Sequence, residues 1–222
     1  SYLQSKGWDV AQRDFNILSY DLFLSRPFLE KAVARSRKKI DFLSDKSSLT
    51  EVEKLLLEVL SVGDQYSGAI MSRVDEAKNV MRSPEHFFKF DTYQEAHMII
   101  KSALKLISDA WFPSMLNFLT YRSGSGAEES SQKAQTIVSD KDTNPFIELY
   151  DDFLIGSERW EDYRVLGISI IGTSQIIPGL TLARMLKKRY PHLFIVLGGP
   201  IFSVISEKLK KWPEFFDEFC HT

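Results

Sequence analysis

Apolar residues recur along this chain in two rhythms. Between residues 17 and 157 they return at intervals of three and four, the period of an amphipathic helix, whereas residues 165–171 and 193–197 form short, nearly unbroken apolar runs. The first rhythm predicts several helices. Leu24, Phe28, Val33 and Ile40 mark an interrupted segment that ends before Ser44-Asp45. Thr50-Glu51-Val52-Glu53 has the capping-box form, in which hydroxyl and carboxylate each accept the other residue's backbone N–H, and it opens a helix carrying Val52, Leu55, Leu56, Val59 and Leu60. Ser83-Pro84 places proline at a first helical position, and Asp91-Thr92-Tyr93-Gln94 opens a helix with Tyr93, His97, Ile100, Leu104 and Ile107. Thr143-Asn144-Pro145 starts another, with Phe146, Leu149, Tyr150 and Phe153. The polar run from Arg122 to Ser131 reads as a flexible linker in preference to a substrate lid, because Gly and Ser alone do not signal function.

The second rhythm predicts strands. Tyr163 to Ile171 is rich in β-branched residues, as a strand buried on both faces requires. Gly172-Thr173-Ser174-Gln175 breaks it, and an amphipathic helix follows from Ile176 to Tyr190, with Lys187, Lys188 and Arg189 at its carbonyl end. Pro191 stops the helix, Leu193 to Leu197 forms a second strand, and Gly198-Gly199-Pro200 closes it, completing a β-α-β unit. At the other end of the chain, Tyr2 to Gly7 reads as a helix stopped by glycine. Trp8 to Asn16 then reads as a short strand, with Asp14 and Asn16 at its carboxyl end, where they either turn the chain or meet a ligand. Phe215 to Cys220 reads as the approach to a further strand, beginning near Phe216, and both ends of the sequence read as cut from something longer.

The expected architecture is therefore α/β. A Rossmann-like (flavodoxin-like) parallel sheet, incomplete at both ends, is assigned to residues 1–16 and 158–222, and a mostly helical insertion subdomain to residues 17–157. Missing flanks would leave strand edges exposed, which predicts self-association or pairing with another chain.

Charge and composition narrow the chemistry. Twenty-eight basic residues against 30 acidic ones give a net charge of -2, so the whole-chain balance offers nothing to a phosphate backbone, and a nucleic-acid partner is not expected. Cys220 is the one cysteine, which excludes an internal disulfide and a thiolate metal cluster built from this chain alone. No apolar run is long enough for a membrane span or a secretory signal, and the protein is expected to be cytoplasmic. His86, His97, His192 and His221 are scattered without a zinc-like spacing, and neither a Walker motif nor a G-x-G-x-x-G element follows a strand. No catalytic constellation is visible.

Candidate binding residues lie where parallel sheets place ligands, beyond the carboxyl ends of the strands. Gly172, Thr173, Ser174 and Gln175 follow the first strand of the pair, and Gly198, Gly199 and Pro200 follow the second. Paired glycines permit close backbone approach by a bulky ligand, although a tight turn with no ligand uses them equally well. Gly167 and Ser169 interrupt a strand of large residues. They mark either a place where something lies against the backbone, helix packing on Gly167, or a buried, hydrogen-bonded hydroxyl on Ser169.

Several of these pieces together resemble a known family. Gly167-Ile168-Ser169-Ile170, the Gln175-x-x-Pro178-x-x-x-Leu182-Ala183 helix, Lys187-Lys188-Arg189-Tyr190-Pro191 and Val196-Leu197-Gly198-Gly199 resemble the amino-terminal cobalamin-binding domain of radical S-adenosylmethionine enzymes. Tyr2 to Val10, with Asp14-Phe15-Asn16 after it, is similar to the first helix and second strand of the same domain. The resemblance covers roughly the first 16 residues and the last 60, and it matches the helical middle only loosely. It implies a cobalamin-binding accessory domain, with Ser169 in the serine position of the family's S-x-L element and Gly198-Gly199 in its G-G element. Ile171 departs from the usual leucine. It further implies that S-adenosylmethionine and a 4Fe-4S cluster belong to a separate radical barrel, which becomes the expected partner and would carry methyl transfer or radical modification, leaving this chain inactive alone. Two other readings share the same residues: a receiver-like or flavodoxin-like regulatory or protein-interaction domain, and a glycosyltransferase half-domain, which lacks a diphosphate clamp.

Overall fold

The helical rhythm is realised as a bundle whose joints are set by short polar side chains. The computed structural model describes residues 2–124, 126, 131–202, 204 and 214–220. After a single turn of helix, α1 (Tyr2–Ser5), and Gly7 at φ +83°, the chain runs without pairing to Asp14. The Asp14 carboxylate accepts the N–H groups of Asn16 and Ile17, both at 3.0 Å, and so caps α2 (Phe15–Phe23). Ser25 caps α3 (Arg26–Ser44), and the joint between these two helices divides the interrupted segment marked by Leu24, Phe28, Val33 and Ile40. The Thr50–Glu53 capping box opens α4 (Glu51–Arg82), a helix of 32 residues. The Ser83-Pro84 corner leads through α5 (Pro84–Phe87) into α6 (Phe90–Ala110).

Helices α3, α4 and α6 lie against one another, and large aromatic residues fill the space beneath them. Phe28 stacks on Trp111 with ring centroids 5.5 Å apart, and Phe23 meets Phe28 and Phe146 edge-on, each at 5.0 Å. A small antiparallel hairpin, β1 (Met115–Leu116) with β2 (Tyr121–Arg122), follows α6. Then come α7 (Ser131–Ile137) and α8 (Pro145–Leu149), the latter capped by Asn144 and continued by a wider turn from Tyr150 to Leu154.

The remainder is one β-α-β corner. β3 (Val165–Ser169) pairs in parallel with β4 (Phe194–Gly198), joined through α9 (Ile176–Arg189), and α10 (Glu214–Phe219) packs beside α9. A single apolar core runs from Phe23 through Trp111 and Phe146 to Leu180, Ile195 and Phe219. Asn144, fully buried, bonds across this core: its amide donates to Ile137 O at 3.1 Å and to Thr181 Oγ1 at 2.9 Å, while its oxygen accepts the Phe146 N–H at 3.1 Å.

Several expectations are corrected. The Rossmann-like or flavodoxin-like sheet is absent: among the described residues the strands form two two-stranded sheets, and the rest of the regular structure is helical. Trp8 to Asn16 is not a strand: among the described residues no strand pairs with it, and Asp14 instead starts a helix. Phe215 to Phe219 is helix and not the approach to a strand. Sequence periodicity also passed over the β1–β2 hairpin and α7. Of the polar run from Arg122 to Ser131, Ser125 and residues 127–130 lie outside the described residues, as does His221.

Candidate functional site

The nine candidate residues assemble along one rim of the β3–β4 corner. Parallel register sets Ser169 opposite Gly198 and Gly167 opposite Val196. At the two ends of the ladder, Ile170 N–H donates to Gly198 O at 2.8 Å and Phe194 N–H to Arg164 O at 2.9 Å. Gly172 is extended, Thr173–Gln175 forms a single tight turn leading into α9, and the Gln175 side-chain oxygen accepts the Ile171 N–H at 2.8 Å. Gln175 is thereby committed to holding its own loop closed. Pro200 begins a helical stretch directly after the strand.

Gly199 has φ +105°, and a Cβ there would lie 2.3 Å from the Ile170 carbonyl oxygen. The space released by the absent side chain is thus filled by the backbone of the neighbouring strand, which accounts for the glycine without a ligand. Gly167 and Gly198 differ: a Cβ at either meets nothing within 4 Å. Helix packing therefore does not explain Gly167. The glycine against which the helix packs is Gly179 on α9, where a Cβ would come within 2.5 Å of Ile170 Cδ1, and the sequence reading did not single it out.

Strand alternation explains the contrast. Ile168 of β3, Ile170 directly after that strand and Ile195 of β4 face α9, which covers them with Ile177, Leu180 and Ala183. Val165, Gly167, Ser169 and Ile171 point the other way, beside Val196, and this outer face is open: Val165 is 55% and Ile171 68% exposed. Ser169 is exposed, not a buried hydroxyl. Because the even-numbered residues of β3 direct their backbone groups to β4, the N–H and C=O groups of Val165, Gly167 and Ser169 point to the opposite edge, where no strand pairs among the described residues.

The corrin tail implied by the cobalamin resemblance does not fit this corner. A tail slot needs open space at the paired glycines between strands of a sheet covered on both sides, and here Gly199 is filled by Ile170 while the sheet stops at two strands. The cobalamin-domain, receiver-like and flavodoxin-like readings fall together with that sheet, and the assignments of cobalamin, S-adenosylmethionine and iron–sulfur chemistry lose the basis they rested on. No group of three or more His, Cys, Asp or Glu side chains suited to a metal ion occurs among the described residues. His86 Nδ1 lies 2.9 Å from Ser83 Oγ, His97 stacks between Tyr93 and Phe118, and His192 stands beside Tyr190.

Among the described residues, the titrating groups that burial perturbs most lie away from the rim. Burial pushes the Tyr20 hydroxyl up to about 12 and also raises that of Tyr150, while Tyr20 donates to Asn117 O at 2.5 Å. Burial also raises Asp109 against the opposing pull of Lys105, and raises the thiol of Cys220 against Lys187. For the tyrosines and Cys220 the shift moves the group further from the range where it exchanges protons at neutral pH, and for Asp109 burial outweighs its ion pair with Lys105 at the end of α6. A shallow hollow between α4 and α6, lined by Arg73, Asp91, Gln94, Glu95, Met98 and Ile99, is closed at one side by the Arg73–Glu95 ion pair. None of the described helices is long and apolar enough to cross a membrane. No family model, no curated protein and no solved structure matches the chain, so the open β3 rim must be interpreted from its own geometry.

Proposed function

We propose that this chain is a polypeptide-docking module whose β3 edge receives an extended strand from another polypeptide. The observation that carries the reading is the half-covered parallel pair: α9 seals one face, and the other presents Val165, Ile171 and Val196 beside a row of outward N–H and C=O groups. Parallel sheets are ordinarily covered on both faces, and two strands alone are marginal in water. An added strand would pair with the backbone of Val165, Gly167 and Ser169. Its apolar side chains would extend the exposed row, the usual mode of strand addition. Gly167 and Ser169 suit that role because small side chains leave room for larger ones on the incoming strand.

A labelled peptide with the sequence of residues 164–171, itself a parallel-pairing apolar strand, serves as the probe, with fluorescence anisotropy as the readout. Gly167→Pro removes one outward N–H and no bond to β4, since proline is tolerated on an edge strand. Saturable binding to the unmodified chain that is lost in Gly167→Pro, with unchanged far-ultraviolet dichroism, is the expected result. A chain that does not bind the peptide, or a Gly167→Pro variant that binds it equally well, overturns the proposal.

A further inference from the structure

Helix α4 carries more apolar surface than its own fold covers. Its 32 residues span about 48 Å, and Leu60, Ser67, Val74 and Ala77 form the stripe buried against α3 and α6. A second stripe runs beside it through Val52, Leu55, Val59, Val62, Tyr66 and Ala69. The spacing alternates three and four without a break, which is the a/d seam of a coiled coil, with Val52, Val59 and Tyr66 at a and Leu55, Val62 and Ala69 at d. Most of the seam faces water: Val52, Leu55, Val62 and Tyr66 are between 50% and 62% exposed and Ala69 is exposed as well, while Val59 is half-buried. No charged residue lies on it from Val52 to Ala69.

The seam is complementary to itself when reversed. Two antiparallel copies bring a against d, so Val52 meets Ala69 of the second copy, Leu55 meets Tyr66, and Val59 meets Val62. Each layer then joins a larger residue to a smaller one or two of similar size. The residues flanking the seam at g are Glu51, Glu58, Gln65 and Ser72. In the same register Glu58 lies beside Gln65 of the second copy and Glu51 beside Ser72, so no carboxylate faces another. A parallel pair instead sets each g residue against an e residue of the second copy, so Glu51 and Glu58 would face Leu56 and Gly63 and Gln65 would face Ile70, with no charged partner. Those e residues are also half-buried, with Gly63 set against Leu106 of α6, which leaves the open side of the seam to a single incoming helix.

We propose that two copies of this chain associate through α4, antiparallel and two-fold symmetric, with Val59 of one copy packed on Val62 of the other at the centre. A C2 contact of this kind is closed, so it stops at a dimer. The paired segment of 18 residues is about 27 Å long, at the small end of specific interfaces, and the dimer is expected to dissociate on dilution. This surface is separate from the β3 rim, and the two are tested independently.

Sedimentation velocity across a dilution series is the first measurement. The unmodified chain should pass from dimer to monomer, and Val62→Glu should raise the dissociation constant roughly a hundredfold or more, because it buries a carboxylate with no partner. Position 62 is exposed in the single chain, so helix content should not change. Val196→Lys on the sheet should leave the dimer intact. Register is read from disulfides in a Cys220→Ser background. Glu58→Cys with Gln65→Cys should give a covalent dimer on mild oxidation, since within one chain these positions are about 10.5 Å apart along the helix and beyond the reach of a disulfide. A chain that stays monomeric at its highest attainable concentration overturns the proposal, as does a dimer indifferent to Val62→Glu. Efficient crosslinking by Glu58→Cys alone overturns the antiparallel register.

Discussion

The helical body around Trp111 and the β3–α9–β4 corner are both built from apolar runs, yet one closes on itself and the other does not. In the body, Phe23, Phe28 and Trp111 are fully buried, and Arg35 lies 5.0 Å over the Trp111 ring while reaching Asp142 at 2.7 Å and Glu148 at 3.2 Å. Around Trp111 the apolar interior is sealed and capped by paired charges, and the open seam of α4 lies apart from it. In the corner, α9 covers Ile170 and Ile195, but Ile171, the next residue after Ile170, and Val165, five residues before it, remain in water. The difference lies in what arrives at each face. A run of apolar residues states what a strand is able to bury, and the rest of the fold decides whether anything covers it.

Truncation deep in the body is the strongest way to probe this difference. Trp111→Ala removes a fully buried indole that stacks on Phe28 and whose N–H donates to Lys141 O at 3.2 Å, and it should cost about 3–5 kcal/mol in urea unfolding. Because the core is continuous from Phe23 to Phe219, the corner should unfold in the same transition. Two separate transitions would show instead that the body and the corner are independent units.

Gly199→Ala comes next, at about 3 kcal/mol, the upper end for a side chain forced into a glycine-type conformation, because the new Cβ also meets the Ile170 carbonyl. Asn144→Ala should cost about 1–3 kcal/mol, leaving Phe146 N–H, Ile137 O and Thr181 Oγ1 short of a partner at the seam between body and corner. Hydrogen exchange in α9 should rise more in Asn144→Ala than in a surface variant of equal cost, since Thr181 sits on that helix.

These residues also show what the sequence made legible. Signals that act within one turn were readable: the Thr50–Glu53 box, Asn144-Pro145, and the Ser83-Pro84 corner each describe a bond between near neighbours, and each stands where it was expected. The β3–β4 pair was readable as two short apolar runs bounded by glycine and proline. The number of strands was not, because pairing is a contact between distant segments and Trp8 and Val10 alternate as a strand would without any strand to join. Glycine roles were equally hidden. Gly199 and Gly167 look alike in sequence, and only the Ile170 carbonyl beside one and open space beside the other separate them. On α4, periodicity found Val52, Leu55 and Val59 as well as Leu60, but it could not say which stripe faces inward.

The smallest expected effect is the most direct test of the comparison. Gly167→Val adds a β-branched side chain in mid-strand, where nothing lies within 4 Å of the added Cβ. Valine favours the extended backbone and lowers the entropy of the unfolded chain, so with an uncovered face the change should be neutral or stabilising, within about 1 kcal/mol. Gly179→Ala is the matched control from the covered face. A single methyl there comes within 2.5 Å of Ile170 Cδ1, which must rotate or move, and a cost of about 1–2 kcal/mol is expected. The order of the two is the informative quantity, because both glycines belong to the same β-α-β unit and differ in which face of β3 they address. If Gly167→Val instead proved the more costly in the isolated chain at low concentration, the outer face would already be occupied by the chain itself. The contrast between a closed body and an open corner would then be wrong.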